Sequence, residues 1–408
     1  MIKFCKKCLY SSLHPLGLTF DKNGICSGCL IHEEKNQLDW KFRLNKLKKI
    51  VKNYKSKKSN YDCVVSIDSP DSYYILHVVK NILKLNPLTV SYNKYFNTKI
   101  GIKNQANLRI KFDIDILFKN VNIDSVKKIT RHTFQNYGNI YWPILAGSSV
   151  FPVEIAAKYK IPLIIWGAHQ GVEQVGMYSH THEVEMTRRY RFDHDLFCAG
   201  PRSLASFDNL LKEDDIINYT YPDDETINAI GIKGIYIGNY IRWDPSAQHR
   251  LMNKLYGFQS AKLARTFDTY DHIGCYNYMS LHDYLKYLKH GYSKVTDHAC
   301  REIRHKRIKR DNAIKIVNFY QNQRVNYLNL FSKWSSISLE SIKHIAQKHK
   351  NNKLINIYKN FYKNEIKLNK TSEIKKKLNI FISKNFKITS SINLNKKDEY
   401  IIFGKGYD

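Results

Sequence analysis

The sequence contains no run of about eighteen apolar residues, so no membrane-spanning helix is expected. Its N-terminus also lacks the apolar core of a signal peptide, which predicts a protein of the cytoplasm. Acidic residues are scarce: 36 Asp and Glu stand against 66 Lys and Arg, which gives a formal net charge of +30. Lys, Asn, Ile and Tyr are abundant together, as in chains encoded by genomes poor in G and C, and the positive charge is spread thinly. Nucleic acid is therefore not the expected partner, and an anionic small substrate or a membrane surface fits the charge better.

Cysteine is sparse, but four of the eight cysteines form two tight pairs. The pairs are Cys5-Lys6-Lys7-Cys8 and Cys26-Ser27-Gly28-Cys29, and seventeen residues separate them. This spacing is typical of a four-thiolate zinc knuckle, in which Gly24 and Gly28 permit the turns that direct the sulfurs to one centre. Four thiolates complete the coordination shell, so the predicted zinc has a structural role. In a reducing cytosol the pattern favours metal over disulfides, and free buried cysteines are the alternative.

The composition divides the 408 residues into five segments, which leaves room for two or three domains. Repeated β-α units over 61–233 predict an α/β domain with a doubly wound, mostly parallel sheet. Before it we expect the knuckle at 1–35 and a lysine-rich helical linker at 36–60. After it we expect a mainly helical substrate or partner region at 234–350. A Lys- and Asn-rich peripheral tail is expected at 351–408.

Four buried strands and the helices between them carry the prediction of the sheet. Each strand is an apolar run bounded by turn residues, which is typical of a parallel strand covered on both faces. The predicted strands are Cys63–Val65, Pro87–Tyr92, Ile114–Phe118 and Ile161–Gly167, and helices are expected at about 98–112, up to about 138, and at about 150–159.

The turn after the first strand, Ser66–Ser72, is the candidate phosphate site. A tight turn from the carboxyl end of a parallel strand into a helix is where α/β sheets bind phosphate, and Asp71 or Ser72 is a natural helix N-cap. The turn has no glycine, although glycine lets backbone N–H groups approach a phosphate closely. Asp68 adds a negative charge where phosphate would sit, and Pro70 has no N–H to donate. These residues argue partly against catalysis.

A histidine pair and an arginine group within 168–233 each allow two interpretations. His180 and His182 form a metal pair or lie on a solvated loop, and the lack of a carboxylate at ligand spacing favours the loop. Arg188, Arg189 and Arg191 hold a diphosphate, since guanidinium forks suit phosphate oxygens, or they face solvent on a helix.

Three later segments, 234–244, 265–271 and 290–298, are dense in Arg, Asp, Tyr and Trp. Such side chains either line a polar pocket of the size of a sugar or hold helices together. The basic residues that follow are predicted to form a solvated helix face: Arg301, Arg304, Lys306, Arg307, Lys309 and Arg310.

The chain resembles the N-acetyl sugar amidotransferases of bacterial surface-polysaccharide synthesis, which belong to the PP-loop ATP pyrophosphatase superfamily. The resemblance covers the chain in order from its start to about residue 350. It rests on these stretches: Phe4–Cys8 with Cys26 and Cys29, Tyr61–Cys63, Asn86–Leu88, Ile161–Gly167, Tyr236–Asp244, Arg265–Asp268 and Lys294–His298.

The resemblance implies an adenine nucleotide alpha hydrolase-like fold and an enzyme that converts the N-acetyl group of a nucleotide-linked or related sugar into an acetamidino group. The product would enter lipopolysaccharide O-antigen or a similar glycan. ATP with magnesium would adenylate the amide oxygen, and ammonia from a separate glutaminase subunit would attack the imidate carbon. Arg242 and Asp244 are implied substrate contacts, and the catalytic residues stay open. The residues implied to hold the nucleotide are Ser66, Ser69, Asp71, Ser72, Trp166 and Gly167.

The turn departs from the family pattern Ser-Gly-Gly-x-Asp-Ser, of which only Asp71-Ser72 is present. Two alternatives stay open: a functional variant in which other donors hold the phosphates, and a catalytically weakened member kept for binding or assembly. A tRNA-modifying PP-loop protein is a third alternative, which would usually need sulfur-carrying cysteines near the sheet. The cysteines outside the two pairs are single and scattered: Cys63, Cys198, Cys275 and Cys300.

Overall fold

The computed structural model describes residues 2–56, 60–196, 199–207, 211–271, 273–365 and 400–401. Its centre is a five-stranded sheet in the order β4-β2-β1-β5-β6, and every neighbouring pair is parallel. The predicted α/β class with a parallel sheet is confirmed. The five strands are β1 (Cys63–Ser66), β2 (Pro87–Tyr92), β4 (Ile116–Lys119), β5 (Leu163–Trp166) and β6 (Lys233–Tyr236). Two further two-residue strands, β3 (Asn97–Thr98) and β7 (Tyr400–Ile401), pair antiparallel.

The chain is wound in two directions from the middle of the sheet. From β1 it moves outward to β2 and β4, and it then returns to β5 on the other side of β1 before reaching β6. The strand order therefore reverses between β1 and β5, which makes a crevice at the carboxyl ends of these two strands. β6 crosses the predicted boundary at residues 233 and 234, so the sheet extends into the segment predicted to be mainly helical.

Helices cover the sheet and form most of the remaining chain. None of the helices in the described ranges combines the length and apolar character needed to cross a bilayer. Single 3-10 turns occupy His180–His182, Ile217–Tyr219, Ile237–Asn239 and Ile273–Cys275, and wider π turns occupy His77–Ile82 and Arg191–Asp195. The α-helices are α1 (Ser27–Glu34), α2 (Trp40–Lys52), α3 (Ser72–Leu76), α4 (Lys99–Phe112), α5 (Ile123–Tyr137), α6 (Trp142–Lys158), α7 (Gln170–Glu173), α8 (Arg188–Tyr190), α9 (Pro201–Phe207), α10 (Glu213–Ile216), α11 (Asp224–Ile230), α12 (Pro245–Tyr256), α13 (Tyr276–His290), α14 (Lys294–Arg304), α15 (Arg310–Gln321), α16 (Leu328–Ser335), α17 (Leu339–Lys348) and α18 (Asn352–Glu365).

Local signals explain several of these bounds. The Thr98 side chain accepts a hydrogen bond from the Gly101 N–H and caps α4, and Gly138 ends α5 with a φ of 57°. The helix predicted at 150–159 is the second half of α6, which begins at Trp142. Its start was missed because Pro143 reads as a helix breaker, although proline is tolerated in the first turn of a helix.

Residues 352–365, which the sequence placed in a peripheral tail, form α18 and pack against the N-terminal segment. The Tyr358 hydroxyl hydrogen-bonds to Ser11 Oγ at 2.7 Å, and the rings of Phe361 and Phe4 stack with their centroids 3.8 Å apart. Aromatic side chains at helical spacing thus join α18 to the N-terminal segment, a contact that composition alone does not indicate. The rest of the predicted tail, apart from 400–401, lies outside the described residues.

Candidate functional site

The four paired cysteines lie together and are fully buried. Their Sγ atoms all lie within 4.8 Å of one another, with Cys5 to Cys29 at 4.0 Å and Cys8 to Cys26 at 3.6 Å. Tetrahedral zinc with Zn–S bonds of about 2.3 Å places its sulfurs about 3.8 Å apart, so these distances suit zinc. Within the described ranges this is the only group with metal-ligand geometry. It could bind the predicted structural zinc.

The backbone around the cluster is arranged for thiolate sulfurs. The N–H groups of Cys8 and Cys26 donate to Cys5 Sγ at 3.4 and 3.3 Å. Hydrogen bonds from the side chains of Cys26 and Cys29 lower the pKa of the Cys5 thiol well below its ordinary range. The turn from Cys5 to Cys8 brings one of these N–H groups back toward the first sulfur, and the second cysteine pair supplies the other.

A cavity of about 450 Å³ lies at the crevice between the carboxyl ends of β1 and β5. Small-molecule sites occupy about 300–1,000 Å³ and prefer this position in open α/β sheets. Ser66 ends β1 at the cavity, and Trp166 and Gly167 line it from the end of β5. The structure therefore brings together the predicted nucleotide-binding residues of two separate strands.

The three aromatic and charged segments noted in the sequence meet at this cavity. They contribute Tyr236 and Trp243, then Tyr270 and Asp271, and finally three residues of α14, namely Lys294, Asp297 and His298. Of the two interpretations of these segments, the structure favours the pocket. Flat aromatic faces beside carboxylates suit a ligand with both C–H and hydroxyl surfaces. Seven aromatic residues line the cavity: Tyr10, Tyr141, Trp166, Tyr190, Tyr236, Trp243 and Tyr270.

A hydrogen-bonded chain orients Asp271 at the cavity wall. Thr266 Oγ1 accepts the Asp268 N–H at 3.2 Å, which leaves its own hydrogen free for His298 Nδ1 at 2.7 Å. His298 Nε2 then carries the ring hydrogen and donates it to Asp271 Oδ2 at 2.8 Å. Lys294 Nζ lies 3.4 Å from the same oxygen. Asp271 is thus held as a carboxylate acceptor for a hydroxyl or N–H group of a ligand.

Among the buried polar atoms of the lining that have no hydrogen-bond partner in the described residues are three donors. They are Trp166 Nε1, the Tyr270 hydroxyl and Arg304 Nε. Burial raises the pKa of the Tyr270 hydroxyl well above its ordinary range, so this group stays protonated and can donate. Each unpaired buried group costs about 1–3 kcal/mol unless water or a ligand in the cavity satisfies it. These atoms favour a polar ligand over an empty space.

The candidate phosphate turn Ser66–Ser72 borders the same cavity, but other contacts occupy its polar groups. Asp68 Oδ1 accepts a hydrogen bond from Ser91 Oγ at 2.8 Å, and Oδ2 accepts one from the Tyr92 N–H at 2.9 Å. Burial raises the pKa of the Asp68 carboxyl. The Ser72 hydroxyl donates to the Ser69 carbonyl at 2.6 Å and faces a smaller cavity of about 100 Å³. Contacts within the turn and with β2 therefore occupy these polar groups.

The turn is also held from behind by His249 on α12. Its Nε2 faces the Pro70 carbonyl oxygen at 2.9 Å, and its Nδ1 faces the Pro245 carbonyl oxygen at 2.6 Å. Carbonyl oxygens only accept, so the ring nitrogen that carries a proton donates to the carbonyl it faces. Its Nε2 lies 3.8 Å from Asp71 Oδ1. Burial raises the pKa of Asp71 to about 6, and nearby Asp271 adds to this shift while His249 opposes it.

These residues do not fit a pyrophosphate cradle for ATP. The turn presents a buried carboxyl at Asp68, and Pro70 has no N–H to donate.

The predicted substrate contacts Arg242 and Asp244 lie beside the cavity rather than on its wall. Arg242 donates to the Lys35 carbonyl at 2.6 Å and to Asn36 Oδ1 at 2.9 Å. Asp244 accepts the Ala247 N–H as the N-cap of α12 and pairs with Arg307 at 2.9 Å. The lining, as far as the chain is described, includes neither side chain. Substrate contact through these two residues stays a prediction.

The sequence interpretation of the basic helix as a solvated face was wrong for α14. Arg301 pairs with Asp268 at 2.6 Å, Arg304 is 4% exposed, and both line the cavity. The signal was available, because Lys294, Asp297, His298, Arg301 and Arg304 follow helical spacing and share one face. Charge obscured it, since basic residues on a helix are usually exposed.

The remaining polar groups of 168–233 do not form the sites first considered. His180 is buried, with Nδ1 at 3.3 Å from Glu34 Oε2, whereas His182 is exposed, so the two histidines do not share a metal. Arg188 and Arg191 both pair with Asp224, at 2.8 and 3.0 Å, and Arg189 pairs with Asp193. The three arginines thus bind carboxylates of this chain rather than surrounding a diphosphate.

Comparison with known proteins gives two matches. Residues 264–372 match the family model of the LPS biosynthesis protein WbpG-like, C-terminal domain, which supports a relation to lipopolysaccharide biosynthesis. An uncharacterized protein of Methanocaldococcus jannaschii is 26% identical over 121 residues, which are 28% of this chain and 42% of that protein. The chain therefore covers less than half the length of this relative.

Proposed function

We propose that this chain is an N-acetyl sugar amidotransferase-like protein that binds an N-acetyl sugar, free or nucleotide-linked, in surface-polysaccharide biosynthesis. One observation carries the proposal. The segment that matches the WbpG-like domain supplies part of the cavity lining, through Tyr270, Asp271 and residues of α14, and the ends of β1 and β5 supply another part. A segment related to lipopolysaccharide biosynthesis thus faces the ligand position typical of this fold class.

The chemistry of the lining supports a sugar. Trp243, Tyr236 and Tyr270 offer flat apolar faces, and the buried Tyr270 hydroxyl and Trp166 Nε1 offer donors without partners among the described residues. Asp271 offers an oriented acceptor. An N-acetyl sugar presents ring C–H faces, hydroxyl groups and an amide, which match these three kinds of surface.

In this proposal the chain binds the sugar, orients it and handles protons. Asp271 accepts a hydrogen bond from the sugar or from an incoming amine, and His298 and Lys294 keep it in place. Asp71, whose pKa is about 6 because of burial, can hold or release a proton near neutral pH at the same cavity. Amidine formation requires removal of a proton after the nitrogen attacks, a task suited to such a carboxylate.

The full amidotransferase reaction would also need an activated amide oxygen and a supply of ammonia. ATP with magnesium would supply the activation, but the turn Ser66–Ser72 does not fit its pyrophosphate. The glutaminase subunit that would supply ammonia belongs to the proposal through the family resemblance alone. The turn therefore favours a second candidate function, in which the chain is a catalytically weakened member that binds the sugar or supports assembly.

A tRNA-modifying role has less support from the described residues. Cys63, Cys275 and Cys300 are buried, and Cys198 lies outside the described part of the chain. A sulfur-carrying cysteine has to be accessible and activated as a thiolate, whereas burial raises the pKa of Cys63.

Gene deletion separates a role in surface-glycan synthesis from a role in tRNA modification. We expect loss of an amidino-bearing sugar or its downstream product from a surface glycan, and loss of a modified tRNA nucleoside with unchanged glycans would replace our proposal.

Binding is tested directly by calorimetry with a panel of nucleotide-linked and free N-acetyl sugars. Asp271→Asn should weaken binding of the best probe about tenfold or more, because the oriented carboxylate acceptor is lost. Asp115→Asn is the matched control, since it makes the same chemical change at a carboxylate that binds Tyr61 outside the cavity lining, and it should leave affinity unchanged. Equal loss in both variants, or no binding by any probe, would count against the sugar assignment.

A further inference from the structure

The segment that carries the four cysteines forms part of the cavity wall. Tyr10 and His32, which flank the two cysteine pairs, both line the cavity. The Tyr10 hydroxyl donates to Asp297 Oδ1 on α14 at 2.9 Å, and the ring of His32 lies edge-on to His305, 4.6 Å between centroids. The metal-binding segment therefore touches the ligand position through its own side chains.

Arg304 connects the cysteine cluster to the opposite side of the cavity. Its Nη1 donates to the carbonyl oxygens of Glu173 and Gln174 at 3.1 and 2.7 Å, at the end of α7. Its Nη2 lies 3.9 Å from Cys26 Sγ, and its guanidinium lies over the Tyr10 ring, 5.4 Å from the centroid. Its Nε is buried and has no hydrogen-bond partner among the described residues.

Gly28, between the second pair of cysteines, makes this arrangement possible. A Cβ atom at this position would collide with the Arg304 guanidinium, and it would lie 2.6 Å from the Gln174 carbonyl oxygen. The hydroxyl of the preceding residue, Ser27, donates to the Val175 carbonyl at 2.7 Å. The turn that carries Cys26 and Cys29 is thus packed directly on the segment that follows α7.

The charge balance points to the same connection. Arg304 is a buried cation, and zinc held by four thiolates carries roughly two units of net negative charge. The zinc-loaded cluster is therefore the counter-charge for this guanidinium. If the cluster loses its charge, the buried guanidinium is left without a partner, which destabilises its present position.

We propose that Arg304 is a positioning residue that couples the four-cysteine cluster to the cavity, so that the order of residues 170–177 depends on zinc in the cluster. Residues 170–177 include α7 and border the cavity at Gln170, Glu173 and Gln174. Loss of zinc releases the turn at Gly28, the guanidinium leaves the two carbonyl oxygens, and this wall of the cavity loosens. Zinc in this chain then controls the ligand site as well as the fold.

Hydrogen exchange measured by mass spectrometry tests the coupling without any ligand. The amides of Val172, Glu173, Gln174 and Val175 are hydrogen-bonded within this segment and report its opening. The samples are the full chain with zinc and after chelation, as wild type, Arg304→Gln and Arg310→Gln. Arg310 is the matched control. Its Nε lies 3.3 Å from the Cys8 carbonyl oxygen, so it also contacts the segment that carries the cysteines, but it lies outside the cavity lining. Zinc content is measured for every sample.

We expect chelation to speed exchange at 172–175 at least about tenfold in wild type and Arg310→Gln. Zinc-loaded Arg304→Gln should already exchange at the faster rate, and chelation should add little. Gly28→Ala with full zinc content should resemble Arg304→Gln. If chelation unfolds the whole chain, the exchange rates of zinc-loaded Arg304→Gln and Gly28→Ala test the proposal. Wild-type exchange in zinc-loaded Arg304→Gln, or an equal effect of chelation in that variant and wild type, would overturn the proposal.

Discussion

The four-cysteine cluster and the turn Ser66–Ser72 are both short segments that could carry chemistry, but different atoms carry it. The cluster uses side-chain sulfurs, whose identity and spacing are visible in the sequence, and the structure places all four within 4.8 Å of one another. A phosphate-binding turn uses backbone N–H groups, whose availability depends on the local conformation and on distant neighbours. The turn Ser66–Ser72 lies where a ligand site should be, yet its polar groups are engaged elsewhere.

The comparison shows how motif evidence should be weighted. A thiolate set survives the fold intact because four soft ligands prefer one metal and are buried with it. A turn motif can keep its position and lose its donors, because one carboxylate such as Asp68 can bind the neighbouring strand instead. The turn lies where the strand order reverses between β1 and β5, and this position supports a ligand site nearby. The position does not identify which ligand the turn holds.

The largest expected effect lies in the cluster. Cys26→Ser should remove zinc and cost several kcal/mol of stability, because the binding free energy of a structural metal contributes directly to folding. Metal analysis and thermal melting measure the result. Cys63→Ala, which changes a buried cysteine of β1 outside the cluster, should retain about one zinc per chain. If chelation left the melting temperature of the wild type unchanged, the prediction of a stabilising zinc in the cluster would be wrong.

The next effect sharpens the role of the turn. Asp68→Gly with Ser69→Gly and Pro70→Lys removes a carboxylate, restores an N–H donor and permits close backbone approach. We expect ATP with magnesium to bind the variant more tightly than the wild type by a factor of roughly ten to a thousand. Calorimetry measures it, with Asp68→Asn as a control that removes only the charge. Tight binding by the wild type, unimproved by the triple change, would show the turn to be competent.

A third prediction concerns the cost of the charge at Asp71. Burial raises its folded pKa to about 6 from an ordinary value of 3.8, so the folded state binds this proton more tightly than the unfolded state. The resulting destabilisation is absent below pH 3.8, grows as the pH rises toward 6, and is complete above it. Asp71→Asn should therefore be more stable than wild type at about pH 7.5, by at most about 3 kcal/mol. Melting at that pH and near pH 4 measures this, and an equal difference at both would contradict it.

The smallest effect concerns Asp244, which the resemblance named and the structure uses as a helix cap. Asp244→Asn keeps a capping oxygen and weakens the half-buried pair with Arg307, so we expect a loss of less than about 1 kcal/mol. Asp244→Ala also removes the cap and should cost about 1 kcal/mol more. Melting measures both. A stronger effect on sugar affinity than on stability would restore Asp244 as a substrate contact.

Much of the sheet could be predicted from the sequence because buried parallel strands leave a strong local pattern. Pro87–Tyr92 was located to the residue, and Cys63–Ser66 and Leu163–Trp166 lie within or beside their predicted strands. β6 was missed as a strand, since the four residues Lys233–Tyr236 form too short a run to stand out. The cavity-facing side of α14 was missed because its arginines find buried carboxylates, such as Asp268, that lie far away in the chain.

The sequence by itself determined the α/β class, the parallel strands and the four cysteines that could hold zinc, because these depend on local patterns of burial and on ligand type. Only the tertiary structure decided which polar residues meet at the cavity. Asp271, His298 and Trp166 come from three distant parts of the chain, and their meeting depends on how the helices pack across the end of the sheet. It also decided that Arg304 joins the cysteine cluster to α7, since a buried arginine acquires its role from the groups that surround it.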